Sequence, residues 1–200
     1  MSSTSQMGGR RGVAAGAVKA PRWLRCRTAD GDVTALAFTL SRRSPNYTGT
    51  IDDAQMLQDF VQRLSDDSRY MRFVSRNKEL TPSMLSRMTL IDYDREMALV
   101  AVQALSERDA QGALVETERI IGMSQYVTNP DKSSCEFSIM VGDEFGGKGL
   151  GSRLMLSIME EARDKGLKEI DGLVLANNQN MLALMRKLGF TIQKFVEDED

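Results

Sequence analysis

The sequence predicts an α/β or α+β fold, a twisted sheet with helices packed on it. Three observations carry this. Apolar runs of strand length recur along the chain, amphipathic helical stripes fall between them, and a glycine-rich run joins the clearest strand to a helix. Helices that fall between strands need crossover connections, and crossovers lay helices over a sheet. At 200 residues the chain has room for one domain and a tail.

Taken in order, the first 27 residues stand apart. They carry Arg10, Arg11, Lys19, Arg22, Arg25 and Arg27, and no acidic residue precedes Asp30. An organelle transit peptide and a plain flexible leader both fit this composition. Gly8, Gly9, Gly12 and Gly16 favour the plain leader, because they break an amphipathic helix. Trp23 falls in this stretch, as a local anchor or an exposed residue. The expected division is a flexible basic leader over 1–30 and one folded domain over 31–200.

Val33 to Leu40 reads as a first strand, and Ser44-Pro45-Asn46 as a turn. Thr50-Ile51-Asp52-Asp53 opens a helix, whose apolar face is Leu57, Phe60, Val61 and Leu64. Thr81-Pro82 opens a second helix with the stripe Met84, Leu85, Met88 and Ile91. Three strands follow: Met97 to Val102, Arg119 to Tyr126 and Ser134 to Val141. The third alternates, with Cys135, Phe137, Ile139 and Val141 on one face and Glu136, Ser138 and Met140 on the other. After the glycine run comes a helix bearing Leu150, Leu154, Met155, Ile158 and Met159. A strand over Ile170 to Leu175, a helix from Met181 to Leu188 stopped by Gly189, and a last strand over Phe190 to Val196 complete the pattern. The acidic tail, Glu197 to Asp200, reads as solvated.

Composition removes several chemistries. The chain has no histidine, so Ser-His-Asp triads, Cys-His pairs and His-ligated zinc are excluded. Acid–base work falls to Glu, Asp, Tyr, Lys, Cys or water. Two cysteines, Cys26 and Cys135, are too few for a disulfide framework or a cysteine metal site, so no metal is expected and a reducing, cytoplasmic setting is. Cys135 reads as a buried structural thiol. Net charge −2 and a pI near 5.4 argue against a nucleic-acid surface. No apolar run approaches the roughly 18 residues a membrane span needs.

The glycine run, Gly146-Gly-Lys-Gly-Leu-Gly151, lies between a strand and a helix N-terminus. Glycines let a ligand approach the backbone, and the unpaired N–H groups of a first helical turn favour an anion. A phosphate is the natural ligand, with Lys148 or Arg153 adding charge; a plain flexible turn is the alternative. A P-loop is excluded for want of Gly-Lys-Ser/Thr after a four-residue gap, and the spacing fits a Rossmann fingerprint poorly.

Glu136-Phe-Ser-Ile-Met-Val141, Gly146-Gly-Lys-Gly-Leu-Gly151 and Asn178-Gln-Asn-Met-Leu-Ala-Leu-Met-Arg-Lys-Leu-Gly-Phe190 together resemble the GNAT superfamily of N-acetyltransferases. The glycine block is similar to that family's acetyl-CoA motif, Q/R-x-x-G-x-G/A. Leu64-Ser-Asp-Asp-Ser-Arg-Tyr-Met-Arg-Phe73, Ile91-Asp-Tyr-Asp-Arg-Glu-Met-Ala-Leu-Val100 and Cys135-Glu-Phe137 resemble the GNAT domain of Pat-type protein lysine acetyltransferases.

The resemblance implies a GNAT fold: a central mixed, mostly antiparallel sheet of six to seven strands flanked by about four helices. It implies acetyl-CoA as cosubstrate, its pantetheine arm pairing with Ile139, Met140 and Val141. The backbone N–H groups of Gly147, Lys148, Gly149, Leu150, Gly151 and Ser152 would hold the pyrophosphate, and Asn178 would contact the pantetheine. It implies acetyl transfer to an amine, foremost the ε-amine of a protein lysine, with an acyl-CoA synthetase as one candidate partner. A small-molecule amine acceptor and a non-catalytic acyl-CoA sensor are the alternatives.

An amine attacks only when neutral, and a lysine pKa near ~10.4 calls for a base. Glu136 is the catalytic candidate, on the strand that leads to the glycine turn and flanked by Cys135 and Phe137, which suggests partial desolvation. The resembled family uses a Glu at this position. An exposed strand Glu or a structural ion pair is the plain alternative. Asp94 and Glu96 are second choices. An N–H near Met140 is expected to stabilise the oxyanion. Two positions depart from the family: Gly146 stands where Gln or Arg opens the motif, and Met185 where a Tyr serves as general acid, leaving Tyr93 or Tyr126. The family also ends in a two-strand hairpin, of which one strand is visible here. The N-terminal extension or a partner chain, as in a homodimer, is expected to cover that edge.

Overall fold

A computed structural model of the chain describes residues 23–28, 51–108 and 110–194. The strand expected over 33–40, the turn after it, the first 22 residues and the acidic tail lie outside the described residues. The elements run β1 (Trp23–Thr28), α1 (Ile51–Arg63), α2 (Asp66–Phe73), α3 (Pro82–Thr89), β2 (Glu96–Arg108), β3 (Leu114–Thr128) and β4 (Ser134–Val141). A short 3₁₀ turn (Asp143–Phe145), α4 (Leu150–Asp164), β5 (Glu169–Leu175), α5 (Gln179–Lys187) and β6 (Phe190–Lys194) follow. The strands form one mixed sheet in the order β2-β3-β4-β5-β1-β6. All neighbours pair antiparallel except β4 and β5, which are parallel.

The alternation of β4 divides the interior in two. Cys135, Phe137 and Ile139 join a core with Leu154, Met155 and Ile158 of α4 and Leu182 and Met185 of α5. Met140 joins a second core with Leu57, Phe60 and Val61 of α1 and Met88 of α3. The sheet thus carries α4 and α5 on one face and α1 and α3 on the other. Each buried Leu, Ile or Met of these stripes contributes roughly 1.5–3 kcal/mol of transfer free energy.

Two elements differ from expectation. Trp23–Thr28, expected within the leader, is a strand inserted between β5 and β6, in register from Trp23 opposite Leu175 to Arg27 opposite Asp171. It also pairs with β6, from Leu24 opposite Lys194 to Thr28 opposite Phe190. The N-terminal stretch therefore pairs with the inner edge of the last strand, while β6 still ends the sheet among the described residues. Helix α2 is the second difference. Ser65 caps it through the amide of Ser68, and Asp66 and Asp67 lie in its first turn. The residue it buries is Arg69, 1% exposed, whose guanidinium bonds the carbonyls of Leu64, Val61 and Arg76 and the carboxylate of Asp66. A helix anchored by a satisfied arginine shows no apolar stripe, so periodicity passes over it.

Candidate active site

The site begins where two parallel strands part. β4 and β5 pair only from Ser134–Glu169 to Glu136–Asp171. Beyond Glu136 the β5-facing edge of β4 is unpaired, and a cleft of about 1140 Å³ opens there. The register with β3 fixes which backbone groups meet it. Asn129 donates to Ser134, Gly142 donates to Ile121, and the pairing between them is unbroken. Backbone groups alternate along a strand, so even-numbered residues of β4 address β3 and odd-numbered ones address the cleft. Ile139 and Val141 present N–H and C=O groups to it. Met140 does not: its main chain faces β3, so the N–H groups directed at the cleft are those of its neighbours, and what Met140 brings to the cleft is its side chain.

The glycine run follows. Gly149 is the N-cap of α4 at φ 87, a left-handed conformation, and Gly147 is at φ 71. A side chain at Gly149 meets no neighbour, so the need for glycine there is conformational. Arg153 is the first residue of α4 to donate into the helix, to Gly149 at 3.1 Å. Among the described residues, the amides of Leu150, Gly151 and Ser152 are the open donors of the first turn, and those of Gly147 and Gly149 also donate to no carbonyl. Lys148 differs from expectation: its amide already donates to Phe145 O at 3.3 Å, and its ammonium lies 5.8 Å from the Phe145 ring centroid. Five of the six predicted amides thus remain as donors at the positive end of a 15-residue helix, where an anion would be favoured.

Asn178 also lines the cleft, but its Oδ1 caps α5 by accepting from Met181 at 3.1 Å. Its side-chain NH₂ is left as the group that can address a ligand. Of the predicted residues, Glu136, Ile139, Met140, Val141, Gly147, Gly151 and Asn178 line the cleft, while Lys148, Gly149, Leu150 and Ser152 belong to the same turn outside that lining.

Glu136 is exposed. Cys135 and Phe137 turn to the opposite face, into the α4 core, so they do not desolvate it as expected. Its charge acts instead on Arg72 of α2, which lines the same cleft. The two second choices separate. Glu96 lines the cleft, and its pKa is raised, first by partial burial and then by Asp92, against the opposing pull of Arg95 and Arg87. Asp94 is 98% exposed beside Lys165 and is no part of the lining. Neither tyrosine fits the general acid. Tyr126 is a core residue, its pKa pushed up to about 12 chiefly by burial, and Tyr93 does not line the cleft. Cys135 is fully buried, its thiol pushed up to about 12 by burial and by Asp171, as a structural thiol should be.

Sequence reasoning missed the clasp that joins the glycine turn to α2. The Asp143 carboxylate accepts from the Ser65 amide at 2.7 Å, the Ser65 hydroxyl at 2.9 Å and the Ser68 hydroxyl at 2.6 Å. Partial burial works to raise its pKa, but these hydrogen bonds outweigh it and hold the carboxyl below the usual range. It missed Arg72 as well. The sequence signals here were the polar cap Ser65-Asp66-Asp67-Ser68, which marks a helix start, and the family likeness of Leu64–Phe73, which names no role for Arg72.

A family model described as the acetyltransferase (GNAT) family matches residues 77–190, more than half of the chain and the whole of the cleft's β-strand and glycine-turn wall. The chain belongs to the GNAT acetyltransferase family. Acetyltransferase PA5475 of Pseudomonas aeruginosa is 31% identical over 147 residues, covering 74% of each chain. Acetyltransferase Pat of Mycolicibacterium smegmatis is 27% identical over 125 residues, 62% of this chain and 34% of that protein, so the match spans about a third of Pat. The crystal structure of the GNAT domain of S. lividans PAT superposes with a TM-score of 0.62 at 25% identity, over 74% of this chain and 82% of that one.

The fold is therefore the GNAT fold and the chemistry acetyl transfer, with acetyl-CoA the acyl donor that GNAT acetyltransferases use. The residues present fit that donor: an unpaired strand edge for an amide-bearing arm, and open main-chain amides for a pyrophosphate. Among the described residues no helix is long and apolar enough to cross a membrane, and no group of three or more His, Cys, Asp or Glu is placed to hold a metal.

Proposed function

We propose that this GNAT acetyltransferase acetylates the ε-amine of a protein lysine, with Glu136 as general base. The observation that carries the reading is the position of Glu136, at the last residue of β4 paired with β5, with its side chain on the face away from α4. There it adjoins the open edge of Ile139 and Val141, so an amine beside it is next to the strand on which the acyl donor is read. The likeness of Leu64–Phe73, Ile91–Val100 and Cys135–Phe137 to Pat-type enzymes supports lysine as the acceptor, and acyl-CoA synthetases are the partner class that likeness suggests.

The chain's own residues then divide the work. The amides of Gly147, Gly149, Leu150, Gly151 and Ser152 hold the pyrophosphate. Ile139 and Val141 orient the pantetheine amides. Acetyl-CoA supplies the activated acyl group. Glu136 accepts the proton of the acceptor ammonium, directly or through one water, and the N–H of Ile139 or Val141 meets the developing oxyanion. With Met185 buried at the position of the usual acid, the departing thiolate takes its proton from solvent.

Glu136→Gln tests the base. Turnover of a lysine-bearing protein, followed by mass spectrometry with labelled acetyl-CoA, should fall about 10²–10⁴-fold near neutral pH, with the affinity for acetyl-CoA unchanged. Unchanged turnover would remove Glu136 from the mechanism.

A further inference from the structure

Gln125 stands in the wall of the cleft with its carboxamide unsatisfied. It lies on β3, opposite Ser138 of β4 on one side and Ala98 of β2 on the other. Side chains alternate along a strand, so it shares a face with Met123, whose core includes α1 and α3, and not with Tyr126 of the α4 core. It is 7% exposed and lines the cleft. Its carboxamide makes no hydrogen bond to any described residue. Nor is it sealed in. Among the described residues the one partnerless side-chain N or O atom shut off from solvent is Arg72 Nε, so the Gln125 amide still meets the cleft. Ser138, its neighbour at a Cβ separation of about 4.5–5.5 Å, lines the cleft too, and its hydroxyl makes no hydrogen bond to a described residue either.

Buried carboxamides are normally satisfied; one that is not lowers stability, and a ligand can complete the missing bond. The strand edge that suits the coenzyme arm is that of β4 toward β5, whereas Gln125 is one strand away and rises from the sheet face. What reaches that face is the acceptor. Glu96 and Glu136 lie diagonally on either side of Gln125, at Cβ separations of about 7–8 Å, and line the cleft with it. Arg72 and Arg87 belong to the helices above. A floor of two carboxylates, with carboxamide and hydroxyl oxygens between them, suits a group rich in N–H donors, a primary amine.

We propose that Gln125 orients the acceptor: its Oε1 accepts one N–H of the neutral primary amine, Ser138 Oγ accepts the other, and the lone pair is left facing the thioester at the edge of β4. The nitrogen then bonds the thioester carbon, and the C–S bond breaks with its electron pair on sulfur. The nitrogen sheds one hydrogen as a proton, and the thiolate gains one from solvent. This rests on acetyl transfer to an amine in this cleft and holds whichever group serves as base.

Gln125→Met and Gln125→Leu remove the carboxamide and nearly keep the volume. Each is compared with wild type for melting temperature, acetyl-CoA affinity, and turnover of a lysine-bearing protein and of free lysine with labelled acetyl-CoA. On whichever acceptor the wild type uses, kcat/KM should fall about 10–100-fold, with acetyl-CoA affinity within about two-fold. The melting temperature should stay level or rise by about 2–4 °C, because an unsatisfied amide has gone. Ser138→Ala should lower turnover by a smaller factor, about two- to ten-fold. Undiminished turnover in the Gln125 variants overturns the assignment. So does a lower melting temperature in both, which would make Gln125 a structural residue. Turnover of free lysine alone leaves Gln125 in its role and removes the protein-lysine reading. If the wild type uses neither acceptor, the lysine reading falls, and the melting comparison decides for Gln125: level or higher upholds it, lower overturns it.

Discussion

One wall of the cleft, running from β4 through the glycine turn into α4, presents main-chain groups. The other, made by α2 with parts of α3 and β2, presents the side chains of Arg72, Arg87 and Glu96. The first wall depends on backbone conformation, so its sequence requirement is glycine at left-handed positions and small residues where strands part. The second depends on charge and reach, so its requirement is particular ionisable side chains. A constant ligand can be read by shape alone, whereas an acceptor that varies within a fold family has to be read by side chains. Asp143 is where the walls meet, since it belongs to the turn before Gly146 and accepts hydrogen bonds from Ser65 and Ser68 at the start of α2.

The comparison can be broken by changing shape on the first wall. Gly172 of β5 lies where pairing with β4 stops, and a Cβ there would come 2.7 Å from the Phe137 ring. Phe137 is itself buried and packed edge-on against Phe190 at 5.5 Å. Gly172→Val should cost about 1–3 kcal/mol in chemical denaturation, and it should weaken acetyl-CoA binding although no polar group is lost. Full stability would mean that strand separation does not depend on this contact.

The junction should respond less. Asp143→Asn removes charge-assisted bonds to Ser65 and Ser68, worth about 1 kcal/mol in so exposed a setting after solvent screening. The Asp143 pKa is lowered in the fold, so its contribution is complete above the unfolded value and is lost as pH falls through the folded one. The melting difference between wild type and Asp143→Asn should close in acid. A difference independent of pH would assign the effect to packing.

On the second wall Glu96→Gln should give the smallest change, no more than about 0.5 kcal/mol near neutrality. Its pKa is raised in the fold, so its contribution is present below the unfolded value and lost as pH rises through the folded one. Melting curves over pH 4–8 should therefore move in the direction opposite to those of Asp143→Asn, with Glu96→Gln gaining on wild type as pH rises.

The first wall was largely legible in the sequence and the second was not. Strand alternation over Cys135–Val141 and the glycines at 147, 149 and 151 are local signals whose physics is local, so the strand and an anion-favouring turn followed from them, while the coenzyme came from the family resemblance. The direction of Met140's main chain was hidden, because it is set by register with β3, more than ten residues away. β1 was hidden for the same reason: its place comes from pairing with Asp171–Leu175 and Phe190–Lys194, while its own residues read as a basic leader. α2 escaped because it is anchored by Arg69 rather than an apolar stripe, and with it went Arg72 and the Asp143 clasp.

Calorimetric titration of acetyl-CoA into wild type, Lys148→Ala and Gly149→Val tests most directly whether main-chain amides make the coenzyme seat. Heat of binding is expected for wild type, an affinity within about three-fold for Lys148→Ala, and a loss of at least ten-fold for Gly149→Val, whose side chain cannot hold φ 87 without strain. Silence from the wild type, or a larger loss at Lys148 than at Gly149, would contradict a seat made of backbone.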